Sequence, residues 1–202
     1  MNQQSYRPEI IEYVRKNANP PDKFSHQDRL YSLARQLAEE KSYDDDVVFA
    51  AAWLHDLGVF IGHRPENPAE LAHWDHLAYV LRLAPRVLEE AGFPANKIEP
   101  VLEAIRTHLP LAEPQTFEGI LLRDADILEQ LGAVGILRIV SKVGRDTRFV
   151  RFSDALRTLR KNAEELPAKL KLESARRLAQ PRLEVLTRFL TSAESEANHL
   201  EW

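Results

Sequence analysis

The chain has 202 residues, of which 44% are hydrophobic and 29% charged, and its formal net charge is -4. This size and apolar content suffice for one sizeable hydrophobic core. The weakly acidic balance argues against long nucleic acid as a partner, because phosphate neutralisation needs clustered Lys and Arg. The sequence contains no Cys, so disulfides and thiolate chemistry are excluded and any metal ion must be held by His, Asp or Glu.

The N-terminal segment and the longest apolar run bear on location. Residues 1–16 are polar and lack the apolar segment of a signal peptide. The longest apolar run, Val47 to Leu54, is far shorter than the roughly 20 residues that cross a bilayer. A cytoplasmic protein without membrane attachment is expected, and the sequence does not indicate an oligomeric state.

The first half of the chain shows helical periodicity and no strand alternation. An apolar stripe predicts a helix that begins at Ser25. Tyr43 to Asp46 supply turn and N-cap chemistry for a second helix, Val47 to Leu57, which is apolar on every side and should be buried. Gly58 should end it, and a third helix is expected from about Ala69 to Glu90, kinked or broken at Pro85.

The second half also reads as helices. The predicted segments are Ala95 to His108, Phe117 to Leu131 and Ile136 to Val143, followed by two amphipathic helices between Asp154 and Leu200. Pro167 and Pro181 should split those last two, and Gly132 and Gly135 mark a tight turn or a close helix crossing. We therefore predict an all-α fold, with one helical domain over residues 1–150 and a C-terminal helical extension packed on it over residues 151–202.

Four polar residues fall on apolar helices. Asp56, with His55, ends the most hydrophobic helix, and a buried carboxylate there needs a cationic partner, either an Arg or a metal ion. His26 shares a helix face with apolar residues, and Asp126 has aliphatic neighbours. Two imidazoles and two carboxylates from three helices suit a divalent ion with open positions for water and substrate.

Several neighbouring residues have two readings. Asp124 lies two positions before Asp126, so the two point in different directions, and Asp124 is read as a helix N-cap or a partner of a ligand. Arg64, Lys142 and Arg145 are candidates for binding a substrate phosphate, and a solvated loop is the other reading of each. His199, near the terminus, is expected to be uninvolved.

The ordered set His26, His55-Asp56 and Asp126 resembles the H…HD…D signature of the HD-domain superfamily of metal-dependent phosphohydrolases. The segments that carry the resemblance are Phe24-Ser25-His26, Ala51 to Gly58, Ala104 to His108 and Asp124 to Leu128. The resemblance covers about residues 22 to 150 and implies an HD-domain-like helical bundle. It also implies that His26, His55, Asp56 and Asp126 bind a divalent metal, which in the family is manganese, magnesium, nickel, zinc or iron.

The resemblance implies further roles. His76 and His108 fall where binuclear HD proteins place ligands of a second metal, and either could instead contact the phosphate. Asp56 or Asp124 could orient the attacking water, and His108 could protonate the leaving oxygen. The chain lacks the Gly-Tyr-Pro motif and the His-His pair of the binuclear groups, which favours one ion.

The resemblance implies a small phosphorylated substrate, most often a nucleotide, cleaved as a monophosphate or as a triphosphate that loses pyrophosphate. Three alternatives stay open. They are an HD-fold di-iron oxygenase, a cyclic-nucleotide or cyclic-dinucleotide phosphodiesterase, and a helical regulatory module without catalytic activity. The sequence does not identify the substrate or the pathway.

Overall fold

A computed structural model describes residues 6–19 and 25–197 of the chain. Regular structure within these ranges is helical, apart from one isolated bridge between Ile61 and Arg64, and the predicted all-α class is confirmed. The α-helices are α1 Tyr6–Asn17, α2 Ser25–Ala38, α3 Asp45–Leu54, α4 Pro68–Ala72, α5 His76–Glu90, α6 Ile98–Arg106, α7 Phe117–Glu129, α8 Gly132–Val140, α9 Phe152–Glu165 and α10 Glu173–Glu196.

By its internal contacts the chain divides into two compact units, residues 1–123 and 124–202. The division falls inside the continuous helix α7. We refer to these as unit 1 and unit 2 and describe each by itself. The domain boundary predicted near residue 150 stays a prediction.

Helix α3 is the centre of unit 1. Every residue from Val47 to Leu54 is buried, as its uniformly apolar sequence predicts, and the helix packs against α1, α2, α5 and α6. Asp44 caps α3 by accepting hydrogen bonds from the amides of Asp46 and Val47. This cap satisfies backbone donors that no turn of the helix can reach. The helix ends at Leu54, three residues before the predicted end, and a 3-10 turn over Leu57–Val59 follows.

Helix α1 is an element that the sequence analysis did not predict. Tyr6, Ile10 and Val14 lie four residues apart and are all buried, which places one face of α1 in the core of unit 1. Arg7 donates hydrogen bonds to Asp45 at 2.8 Å and to Asp46 at 2.7 Å. The first turn of α1 is thereby joined to the first turn of α3.

The single helix predicted from Ala69 to Glu90 is two helices, and of the kink or break predicted at Pro85 the break was wrong. The chain forms α4 and α5, which are separated by residues 73–75, and Pro85 lies inside α5. Asp75 caps α5 by accepting a hydrogen bond from the amide of Ala78. The cap at Asp75, rather than the proline ten residues later, therefore sets the start of α5, with His76 as its first residue.

In unit 2, helices α8, α9 and α10 pack on one another in pairs. The expected break near Pro167 is confirmed, since a 3-10 turn over Pro167–Lys169 separates α9 from α10. The expected break at Pro181 was wrong, because α10 runs through it from Glu173 to Glu196. The sequence predicted a tight turn or a close helix crossing at Gly132 and Gly135, and both features are present. Gly132 has a φ of 68°, and a Cβ on it would lie 3.0 Å from the Cβ of Arg182 on α10, while a Cβ on Gly135 would clash with the carbonyl oxygen of Gln130.

No helix within the described ranges combines the length and the apolar character needed to cross a membrane.

Candidate metal centre

Three side chains of unit 1 converge at the end of α3. His26 is the second residue of α2, and His55 and Asp56 follow α3, the helix against which α2 packs. Asp56 Oδ2 lies 3.6 Å from His55 Nε2 and 3.8 Å from His26 Nε2. One ligand atom from each residue lies within 4.8 Å of the others, and we call this set the first cluster.

His55 has one ring nitrogen committed and one available. Its side chain is fully buried, and Nδ1 lies 3.0 Å from the carbonyl oxygen of Ala52. A carbonyl can only accept, so Nδ1 carries the hydrogen and Nε2 of the neutral ring carries a lone pair. Nε2 is buried, and the described part of the chain offers it no hydrogen-bond partner. A buried acceptor without a donor is the observation expected where a cation binds.

A second set of side chains shares Asp56 with the first. It consists of Asp56, His76 and His108, whose ligand atoms also lie within 4.8 Å of one another, and we call it the second cluster. His108 is buried, its Nδ1 lies 2.6 Å from the carbonyl oxygen of Ile105, and its ring meets that of His55 edge to face at 5.1 Å. His76 is half-buried at the start of α5.

The donor set fits a divalent cation. Imidazole nitrogens and carboxylate oxygens are ligands that manganese, zinc, iron and nickel accept. The tautomers of His55 and His108 are each fixed by a backbone carbonyl, which is the outer contact that metal-binding histidines usually have. Asp56 differs from expectation, since its side chain is 20% exposed and not fully buried. That exposure leaves one side of the carboxylate open to solvent or substrate.

Asp126 and Asp124 lie in unit 2. Asp126 is buried, and its carboxylate accepts a hydrogen bond from Gln130 at 3.2 Å. Its role as the fourth metal ligand stays a prediction. Asp124 is completely buried, and its carboxylate accepts hydrogen bonds from the amides of Lys171 and Leu172, at 2.9 and 2.7 Å, just before α10 begins. Asp124 lies inside α7 and is therefore not the N-cap of its own helix; it anchors the segment that leads into α10, whose N-cap is Leu172. Its catalytic role stays a prediction.

The basic residues predicted to bind phosphate lie in loops. Arg64 is half-buried in the loop after the 3-10 turn of unit 1. In unit 2, Lys142 lies over the ring of Phe149, with Nζ 5.4 Å from the centroid, and Arg145 is exposed. Their substrate roles stay predictions, and His199 lies outside the described residues.

An aromatic group beside the second cluster was missed by the sequence analysis. Trp74 donates a hydrogen bond from Nε1 to the carbonyl oxygen of Gly58 at 2.8 Å, and its ring lies 5.1 Å from that of Tyr79. The hydroxyl of Tyr79 and Nδ1 of His63 are hydrogen-bonded at 2.7 Å, and burial lowers the pKa of His63. The signal for these residues was weak, because a Trp two positions before a histidine has no motif of its own.

This arrangement of helices and ligands corresponds to a known family. The profile of the HD domain matches residues 24–131, which is over half of the chain and includes both clusters. The chain belongs to the HD-domain family. The match contains His26, His55, Asp56 and Asp126, the four residues on which the sequence resemblance rested.

Several solved bacterial structures have the same fold. Bacillus subtilis YpgQ is 21% identical with a TM-score of 0.74, and each chain covers all of the other. An HD-superfamily hydrolase from Bacillus thuringiensis is 21% identical with a TM-score of 0.71, covering 98% of this chain and 100% of its own. A predicted HD-superfamily hydrolase from an uncultured Thermotogales bacterium is 26% identical with a TM-score of 0.63, covering 94% and 91%. No curated protein sequence matches the chain significantly.

Proposed function

We propose that this HD-domain protein is a metal-dependent phosphohydrolase. The observation that carries the proposal is the geometry of His55. Its Nδ1–H is held by a carbonyl, and its buried Nε2 faces Asp56 Oδ2 at 3.6 Å without a hydrogen-bond donor. A divalent cation bound there would supply positive charge for the phosphoryl oxygens and make water more acidic. His26, His55 and Asp56 would hold it, with Asp126 as the proposed fourth ligand.

Asp56 has a double role in this proposal. Its carboxylate belongs to both clusters and is partly exposed, so one oxygen can bind the cation while the other accepts a hydrogen bond from the attacking water. Accepting that bond orients the water, and the carboxylate can take the proton that the water loses as it attacks. No other carboxylate belongs to either cluster among the described residues.

His108 and His76 lie with Asp56 in the second cluster, and their proposed partners are the substrate or a second cation. Nδ1 of neutral His108 donates its hydrogen to the carbonyl oxygen of Ile105, so Nε2 carries a lone pair. Nε2 can therefore bind a cation or accept a proton. His108 can protonate a leaving oxygen only after it has gained a proton on Nε2. His76 is half-buried and can reach either a second cation or a substrate phosphate. Arg64, Lys142 and Arg145 are proposed to add charge for the substrate.

The proposed substrate is a nucleotide. B. subtilis YpgQ, 22% identical to this chain with a TM-score of 0.71, has been solved in complex with ADP. That complex supports a small phosphorylated ligand for this fold, and the cleavage of a monophosphate or of a triphosphate remains for experiment to decide. The cytoplasmic location expected from the sequence stays a prediction.

A di-iron oxygenase is the second candidate, and the second cluster favours it. Such an enzyme needs His76 and His108 as ligands in addition to the first cluster, and the structure brings both histidines to Asp56. Iron content separates the candidates. An oxygenase would be purified with close to two iron ions per chain and would consume oxygen, whereas the phosphohydrolase works with manganese and without oxygen.

The proposed function is tested by release of phosphate and pyrophosphate from a panel of nucleotides with added Mn²⁺. Asp56→Ala should abolish release. Asp28→Ala is the matched control, because Asp28 is an exposed carboxylate on α2 that belongs to neither cluster. Which product appears identifies the bond that is cut. If the wild type releases neither product from any nucleotide, or if Asp56→Ala retains full activity, the proposed function is wrong.

A further inference from the structure

The backbone of Gly58 packs directly against that of His76. Gly58 lies in the 3-10 turn that follows Asp56. A Cβ built on it would lie 2.6 Å from the carbonyl oxygen of His76 and 3.0 Å from its Cβ, closer than real side-chain atoms approach. Any side chain at position 58 would therefore push His76 away from the turn that carries Asp56.

Trp74 also joins the turn that contains Gly58 to the segment that contains His76. Its indole N–H donates to the carbonyl oxygen of Gly58 at 2.8 Å, and the ring is half-buried against Tyr79. Trp74 precedes His76 by two residues, and Asp75 between them caps α5. The indole bond thus joins the start of α5 to the turn after Asp56.

His76 lacks the local anchor of the other histidines. His55 and His108 each bind a backbone carbonyl through Nδ1, within their own helix or turn. Within residues 6–19 and 25–197 no hydrogen bond to the ring of His76 is found. The position of the His76 imidazole therefore depends on how its backbone is held, which is what Gly58 and Trp74 determine.

We propose that Trp74 is a positioning residue that fixes His76 beside Asp56 and His108 and so sets the affinity of the second cluster for a divalent cation. This inference rests on one part of the proposed function, namely that a divalent cation binds at the first cluster. His26 and His55 are positioned by α2 and α3, so the first cluster does not need the indole bond. Trp74 thus tunes the binding of the second ion and leaves that of the first unchanged.

The test is a calorimetric titration of the metal-stripped, full-length protein with Mn²⁺. Because the second cluster brings His76 and His108 to Asp56, we expect the wild type to bind two ions, and not the single ion that the missing binuclear motifs favour. Trp74→Phe keeps an aromatic ring and loses the N–H, and it should keep the first Kd and weaken the second by about 10-fold to 100-fold, the usual effect of removing a supporting contact. Gly58→Ala should do the same through its Cβ, and His76→Ala, which removes the ligand, should bind one ion.

Tyr79→Phe is the matched control. It removes the hydroxyl that bonds His63 and leaves the indole bond intact, so both Kd values should stay within twofold of wild type. The inference is overturned if Trp74→Phe leaves both Kd values unchanged, or weakens both equally, since equal loss indicates a general structural role. A wild type that binds one ion also overturns it. That result leaves the proposed function to be decided separately by phosphate release.

Discussion

Nδ1 of His55 lies 3.0 Å from the carbonyl oxygen of Ala52, three residues earlier in the chain. That carbonyl lies in the last turn of α3, which ends at Leu54, so the end of the helix itself selects the tautomer of the histidine. The other nitrogen, Nε2, is left with a lone pair in a completely buried position. The most hydrophobic helix of the chain thereby orients the proposed metal ligand at its own terminus.

Mn²⁺ should stabilise the protein against heat through the first cluster. A ligand that binds only the folded state at 100 times its Kd adds about 2.7 kcal/mol. For a chain of this size that corresponds to a rise in Tm of roughly 5–10 °C. His26→Ala should lose most of the rise, whereas His73→Ala, which removes an exposed histidine outside both clusters, should keep it. Scanning calorimetry with and without Mn²⁺ measures the shift, and an equal shift in both variants would exclude His26 as a ligand.

Asp124 should prove to be a structural anchor of the segment before α10. Asp124→Ala leaves the buried amides of Lys171 and Leu172 without their acceptor and should cost about 2–4 kcal/mol in the free energy of unfolding, measured in urea. Asp124→Asn keeps one acceptor oxygen and should lose less. The same variant decides the catalytic prediction, because an amide cannot replace a carboxylate in proton transfer. If Asp124→Asn unfolds like wild type but has lost its activity, the residue is catalytic.

Asp46 should make stability depend on acid pH. Burial raises its pKa, but hydrogen bonds from Lys97 and Arg7 outweigh burial and lower it from 3.8 to about 2. Because the folded-state pKa is the lower one, the stabilisation is fully present above about pH 4 and is lost as pH falls to about 2. The contribution is about 1–2 kcal/mol after allowance for solvent screening. Urea unfolding from pH 6 to pH 2 should show a smaller loss in Asp46→Asn, and an identical pH profile would contradict the assignment.

Asp44 should stabilise α3 through its capping oxygen. Asp44→Ala removes the acceptor for the amides of Asp46 and Val47 and the ion pair with Lys97, at a cost of about 1–2 kcal/mol in the free energy of unfolding. Asp44→Asn removes the charge and keeps a capping oxygen, so it separates the two contributions. A loss in Asp44→Asn as large as in Asp44→Ala would show that the ion pair, rather than the cap, is the main contribution.

The sequence predicted those parts of the fold in which local pattern and packing agree. Helix α3 is the best example, because its apolar residues and its Asp44 cap both indicate a buried helix. The break predicted at Pro85 was wrong because packing outweighs the helix-breaking effect of the proline there. Pro85 lies among the buried residues Ala84, Val87 and Leu88, and burial on both sides of it keeps α5 continuous despite the lost hydrogen bond.

The site was predicted from residue types and spacing, and its supporting contacts were not. His26, His55 and Asp56 meet because α2 and α3 pack together, and the HD pattern contains that information. The bond from Trp74 to Gly58 joins residues sixteen apart through a backbone carbonyl, and no residue pattern encodes such a contact. Helix α1 was missed because charged residues and a proline lie between its three buried positions, so that its apolar face is short and interrupted.

The central claim is that the imidazoles of His26 and His55 bind a divalent cation together with Asp56. Electron spin-echo spectroscopy of the protein loaded with one equivalent of Mn²⁺ tests it most directly, because it detects nitrogen nuclei bound to the ion. We predict nitrogen couplings from imidazole in the wild type and in His73→Ala, and a clear reduction in His55→Ala. A spectrum with no nitrogen coupling, or one that His55→Ala leaves unchanged, would contradict the account.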